Sequence, residues 1–270
     1  MREAVLFLCH FVNDDVLARF EKLEKDLAGY CDVFWALQCD DDTVLKELQR
    51  RNISLFGFSL DDLNTLGYSP IAETLVPGSL HFIPLYFCKC HLEYDYYWLI
   101  EYDVVFTGNW KTLISAFEEE NADLLASHVE KYGEKNTSWT WWQSLSLGVY
   151  DHPPLEKAVK SFNPICRLSH KSLLFLDEVL RNDGYKGHCE VLLATLLYNH
   201  GFNICDIGGN GTFTPQRLRN QFYIEDKGIN SSTMRWRPAY LSKEVNELGI
   251  TNRLFHPVKT SLHELLAETV

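Results

Sequence analysis

Tyr96-Tyr97-Trp98-Leu99-Ile100-Glu101-Tyr102-Asp103-Val104-Val105-Phe106-Thr107-Gly108 is an aromatic and aliphatic run that closes in two acids one residue apart, then a glycine, with Trp110 just behind. The run reads as a buried strand. Carboxylates at i and i+2 of an extended segment point the same way. Two such acids at the end of a buried strand repel each other and are costly to desolvate, so a positive group is expected against them. A divalent cation carrying phosphates answers that need. A pair of acids solvated in a surface turn is the plainer alternative.

What precedes the run alternates strand and helix. Residues 4–10 read as a strand buried on both faces. Asn13-Asp14-Asp15 is a helix start signal, and residues 16–28 carry helical spacing with alternating charge. Residues 31–37 give a second strand, closed by Asp40-Asp41-Asp42; a helix over 43–50 and a third strand over 54–58 follow. This rhythm implies an α/β fold with a mostly parallel sheet and helices on both faces. An aromatic-rich helix is expected over 80–91, the central strand over 96–100, a helix over 110–120 and a strand over 123–128. Beyond it, Trp139-Thr140-Trp141-Trp142 precedes an Asp151-His152-Pro153-Pro154 turn. A helix is expected over 155–162, extended chain over 163–167, a helix over 169–181, and another over 191–200 opened by Gly187-His188-Cys189-Glu190. A strand over 203–207 leads into Gly208-Gly209-Asn210-Gly211, which has no context suited to cradling phosphate and reads as a turn. The chain to residue 249 reads as irregular, and a short helix is expected over 261–268. No repeat or linker divides the sequence.

The 270 residues carry a formal charge of −12, so the surface repels nucleic-acid backbones, and an anionic ligand would need a metal or a local Arg/Lys cluster. Aromatic content of 13% is high, and rings in a cleft can stack on sugars or bases, although packing is their commoner use. Eight cysteines lie mostly in apolar segments with no C-x-x-C pair, and Cys88-Lys89-Cys90 alone is too little for a zinc site. Buried, reduced thiols in a cytoplasmic protein are expected. The apolar stretch at residues 4–10 is too short and too soon interrupted for a signal peptide. No run approaches the ~18 residues of a membrane span.

A strand ending in two spaced acids after β-α-β units resembles the D-x-D region of nucleotide-sugar glycosyltransferases of the GT-A fold. The pattern Tyr-Tyr-Trp-x-Ile-Glu-x-Asp-Val-x-Phe-x-Gly-x-Trp is similar to that of a family of glycosyltransferase-like proteins in which W-x-x-E-P-D-V is common, as in fungal α-mannosyltransferases. Tyr102 stands here in place of the Pro, and the first acid is Glu rather than Asp. The likeness is specific at residues 96–110 and weaker at 187–202 and 254–259. It implies a single GT-A-like domain over 1–270, with a nucleotide-sugar half over 1–130 and an acceptor half over 131–270.

The resemblance assigns Asp103 as a ligand of Mn²⁺ or Mg²⁺, which bridges the donor's phosphates. Glu101 is expected at the ribose, at a metal-bound water or on the metal. GT-A enzymes carry a late His, often followed by a Lys, that returns to metal and diphosphate; Leu254-Phe255-His256-Pro257-Val258-Lys259 fits, with His256 as third ligand and Lys259 on phosphate. A structural His and an exposed Lys are the bland alternatives. A carboxylate at the place of Glu190 deprotonates the acceptor hydroxyl in such enzymes; His188 is the alternative base, and a helix-start acid is the ordinary reading of Glu190. His10, Phe11 and Asn13, with Asp40, lie at carboxyl ends of strands, where open α/β sheets bind ligands, and are assigned to base and ribose. Trp139, Trp141 and Trp142 are candidates for sugar stacking, with at least one in the core. Arg217, Arg219, Arg235 and Arg237 either clamp phosphates or pair with surface acids.

The expectation is therefore transfer of a sugar from a nucleotide-diphosphate donor to a glycan or other hydroxyl acceptor in bacterial surface glycan synthesis. Peripheral membrane association is compatible with this, and nucleic acid is not a partner. A sugar-phosphate nucleotidyltransferase is the first rival, but it would need a Gly-rich, basic loop where Cys9-His10-Phe11-Val12-Asn13-Asp14 stands. A non-catalytic carbohydrate-binding protein is the second.

Overall fold

The computed structural model describes residues 1–39, 42–148, 154–182, 184–225 and 229–260. In chain order the elements are β1 (Glu3–Leu8), α1 (Asp14–Leu27), β2 (Asp32–Gln38), α2 (Asp42–Arg50), β3 (Leu55–Phe58), α3 (Leu60–Asn64), α4 (Phe82–Cys90), β4 (Tyr96–Glu101) and β5 (Val105–Phe106). There follow α5 (Trp110–Ser115), β6 (Leu124–Lys131), β7 (Val159–Ser169), α6 (His170–Asn182), α7 (Cys189–Asn199), β8 (Ile204–Asp206), β9 (Tyr240–Leu241), α8 (Ser242–Glu247), β10 (Leu254–Phe255) and β11 (Val258–Lys259).

The expected α/β architecture is present: a mostly parallel sheet flanked by helices. Seven strands run in the order β3-β2-β1-β4-β7-β6-β8, and β7 alone opposes its neighbours. Both faces of the sheet are buried, because the strands alternate between two apolar layers. Tyr97 and Leu99 of β4 enter one layer with residues of α4, α6 and α7. Trp98 and Ile100 enter the other with residues of α1, α2 and α5. Burial on both faces is why these strands read as continuous apolar runs.

Three expectations are corrected. Residues 155–157 form a single 3₁₀ turn and Val159 begins β7, so no helix occupies 155–162. All eleven residues of β7 are buried, and periodicity cannot separate a strand buried on both faces from a buried helix. The helix expected over 110–120 ends at Ser115 and is continued by turns. Cys90 is exposed, unlike most of the thiols. The expected helix at 261–268 lies outside the described residues, as do Asp40, Asp41 and residues 151–153.

Candidate active site

The strand β4 stops at Glu101. Tyr102 N–H still donates to Leu8 O at 3.1 Å, but Val104 N–H turns back to Glu101 O at 3.0 Å, closing a turn that carries Asp103. The two acids therefore straddle the strand end and are not alternate residues of one strand. They converge because the chain returns to them: β10 pairs antiparallel with β5, and Val258 N–H donates to Asp103 O at 2.9 Å. This return places His256 Nε2 3.5 Å from Asp103 Oδ1 and 3.9 Å from Glu101 Oε2. One ligand atom from each of the three residues lies within 4.8 Å of the others.

The ring of His256 is oriented by its other nitrogen. Nδ1 sits 2.8 Å from Arg235 O, which can only accept, so Nδ1 carries a proton and Nε2 is the nitrogen that faces the acids. Asp103 is buried; its Oδ2 accepts from Lys259 Nζ at 2.8 Å, while Oδ1 has no hydrogen-bond partner. Lys259 also donates to the Tyr102 hydroxyl at 2.9 Å and is only 2% exposed, which corrects the alternative of an ordinary exposed lysine. The chain thus supplies one positive group itself. Asp103 Oδ1, which has no hydrogen-bond partner, the Glu101 carboxylate and His256 Nε2 together make a donor set that fits Mn²⁺ or Mg²⁺. Burial first, then the charges of Asp103 and Glu190, push the Glu101 carboxyl up to about 8. A bound cation would relieve that repulsion.

Glu190 is close enough to Glu101 for the two charges to interact. It lies in the first turn of α7, with His188 as N-cap. Its Oε1 accepts from Asn163 N–H of β7 at 3.2 Å, and its backbone O accepts from Ser161 Oγ at 3.2 Å. Burial raises its carboxyl to about 7, against the opposing pull of the Asn163 N–H and of Lys160. His188 accepts from Glu190 N–H at Nδ1, and burial lowers its imidazole to about 4. Trp141 packs 4.7 Å and Trp139 5.7 Å from the His188 ring. Trp142 is fully buried and donates to Asn136 O, so it belongs to the core.

On the other flank, Phe11 packs 4.9 Å and His10 6.4 Å from the Tyr102 ring. The Asn13 side chain caps α1 by accepting from Val16 N–H at 2.9 Å, so its oxygen is engaged in the fold. Arg217 pairs with Glu120 at 2.7 Å, the surface alternative. Arg235 stacks on Tyr240 at 3.6 Å and Arg237 on Trp236 at 5.1 Å. The glycine turn at 208–211 wraps Asp206, whose Oδ1 accepts from Gly208 and Gly209 N–H.

Two polar residues beside Glu190 escaped the sequence reading. Asn163 is buried with Oδ1 unpartnered, and Lys160 lies 3.1 Å from Glu130 and 5.3 Å from the Trp139 ring. Both stand on β7, and reading 159–169 as one strand is the signal that would have brought them here.

No family model and no curated protein matches the chain. It is similar to the galactosyltransferase LgtC in complex with donor and acceptor sugar analogs, at 9% identity over 92% of this chain and 78% of that one, TM-score 0.46. Mouse xyloside xylosyltransferase 1, apo form, is 12% identical over 77% of this chain and 84% of that one, TM-score 0.44. The inositol-1-phosphate CTP transferase from T. maritima is 12% identical over 81% of this chain and 92% of that one, TM-score 0.42.

Proposed function

We propose that the chain is a metal-dependent glycosyltransferase that moves a sugar from a nucleotide-diphosphate donor to a hydroxyl acceptor. The observation that carries this is the convergence of Glu101, Asp103 and His256 at the carboxyl end of β4, where ligands of open α/β sheets bind. These three residues would hold Mn²⁺ or Mg²⁺, which when bound neutralises charge on a departing diphosphate. Lys259 holds Asp103 Oδ2 and so leaves Oδ1 to face His256. His10 and Phe11, packed on Tyr102, are assigned to the nucleotide.

Glu190 is the base in this reading, for a reaction that inverts the anomeric centre. A carboxylate at about 7 can take a hydroxyl proton at neutral pH, whereas an imidazole at about 4 is a weak acceptor. Trp139 and Trp141 would line the acceptor side. The setting we propose for it is bacterial surface glycan synthesis.

The test is a product assay with Mn²⁺. The chain is incubated in one arm with nucleotide-diphosphate sugars and glycan acceptors, in the other with nucleoside triphosphates and sugar 1-phosphates. Release of nucleoside diphosphate together with a new glycosidic linkage is expected. Release of pyrophosphate in the second arm would instead make it a nucleotidyltransferase, and sugar binding that needs neither metal nor nucleotide would make it a lectin.

A further inference from the structure

His128 is not one of the three converging residues, yet the fold strains to place it. The register of β6 against β7 shifts at Ser127, and His128 follows with φ of +49°. That left-handed backbone is uncommon for a residue with a side chain and persists only where the surroundings demand it. The residue is buried, and its N–H donates to the Tyr223 hydroxyl at 2.9 Å. Its ring Nε2 lies 2.6 Å from Met234 O and 3.2 Å from Ser232 Oγ. A carbonyl only accepts, so Nε2 carries the proton. Nδ1 faces Glu225 Oε1 at 3.7 Å, a carboxylate also held by Lys135.

Residues 232–235 are the shelf on which His256 rests. His256 N–H donates to Thr233 O at 2.9 Å, and Arg235 N–H donates to His256 O at 3.0 Å. The ring then donates from Nδ1 to Arg235 O at 2.8 Å. The carbonyls gripped by His128 and by His256 belong to successive residues, Met234 and Arg235. Phe162 packs against both rings, 6.1 Å from His128 and 5.3 Å from His256.

We propose that His128 is a positioning residue for His256: its Nε2–H holds Met234 O, which sets the next carbonyl, at Arg235, and thereby aims the Nε2 lone pair of His256 at Glu101 and Asp103. This rests on reading those three residues as a cation site. The position demands two properties together. One is tolerance of left-handed backbone at the bulge; the other is a donor long enough to reach Met234 O. Asn supplies the first and falls short of the second, while Gln carries a donor of suitable length.

The experiment titrates Mn²⁺ into the full chain and its variants, followed by electron paramagnetic resonance, with thermal melting alongside. Wild type should bind Mn²⁺ and show nitrogen modulation from one imidazole. His128→Asn should weaken binding about 10-fold or more, the scale on which outer-layer partners of a metal-bound His act, and reduce the nitrogen modulation. His128→Gln should recover part of both. Should His128→Asn fail to fold, Ser232→Ala removes a smaller support of the same shelf and should shift Mn²⁺ affinity in the same direction. A folded His128→Asn that binds Mn²⁺ like wild type overturns the proposal and leaves the cation site standing. Equal Mn²⁺ affinity in the Asn and Gln variants, whatever their melting temperatures, also overturns it. A wild type that binds no Mn²⁺ overturns the cation site itself.

Discussion

Asp103 is held from two sides, and the two holds have opposite consequences for a cation. Lys259 contributes a buried positive charge at 2.8 Å, which stabilises Asp103 without metal and repels a metal that would bind Oδ1. Lys259→Met should therefore cost the metal-free protein about 3 kcal/mol, the scale for breaking a buried ion pair. The same variant should gain more melting temperature from saturating Mn²⁺ than wild type does; an equal or smaller gain would show that the ion does not sit at Asp103. Glu190 gives a prediction in pH. Its folded carboxyl lies at about 7 against an ordinary 4.5, so the native state keeps a proton that the unfolded chain releases. The sign follows: native stability is whole below pH 4.5 and falls as pH rises through about 7. Glu190→Gln removes that fall, so from pH 4.5 to pH 8 it should gain about 3 kcal/mol relative to wild type in urea unfolding. Parallel stability curves would mean that Glu190 is not held protonated by burial. Turnover of the same variant should drop by roughly 10²–10⁴-fold with donor binding kept, as expected for a lost base.

At the scale of elements, what could be read in the sequence divides by how each strand is buried. The first three strands and β4 alternate with helices, some opened by clear caps such as Asn13 before α1 and Ser59 before α3, so their apolar runs were bounded. The acid pair was legible for the same reason, since it closes one of those runs. The strand β7 was not, because Val159–Ser169 is buried along its whole length and antiparallel to both neighbours, and nothing in its pattern announces the pairing. Losing β7 hid Asn163 and Lys160. The partnership of Lys259 with Asp103 was hidden because it spans 156 residues of chain. The returning tail was placed correctly in order, but its burial was not foreseen: Leu254, Phe255 and Val258 are at most 1% exposed. Deleting the chain from Asn252 onward would remove three core side chains at about 2–5 kcal/mol each, against a total stability of about 5–15 kcal/mol. Truncation is thus expected to unfold the protein. His256→Gln should keep the melting profile and lose more Mn²⁺ affinity than the roughly 10–100-fold that removing an outer partner of a ligand costs, read by calorimetric titration. A folded, Mn²⁺-binding truncation would show that the tail has no part in the site.

For the whole molecule, charge decides the order in which ligands can arrive. The chain carries a net −12, and the convergence point holds Glu101, Asp103 and the nearby Glu190, with the buried Lys259 at Asp103 and the buried Lys160 acting on Glu190. A nucleotide diphosphate approaching alone meets net like charge on the surface and three carboxylates in the site. Arg217 is paired with Glu120, and Arg235 and Arg237 lie on aromatic rings. A divalent cation meets attraction at both ranges. Binding should therefore be ordered, metal before nucleotide. Nucleoside diphosphate alone should leave the melting temperature unchanged, and Mn²⁺ alone should raise it. At 100 times its dissociation constant in the presence of Mn²⁺, the nucleotide should add about 2.7 kcal/mol. For a chain of this size that corresponds to a further rise of about 5–10 °C. The rise should shrink on addition of a chelator that strips Mn²⁺. A full shift from the nucleotide without any divalent ion would place a phosphate site elsewhere on the molecule, and with it would go the reading of Glu101, Asp103 and His256 as the donor's anchor.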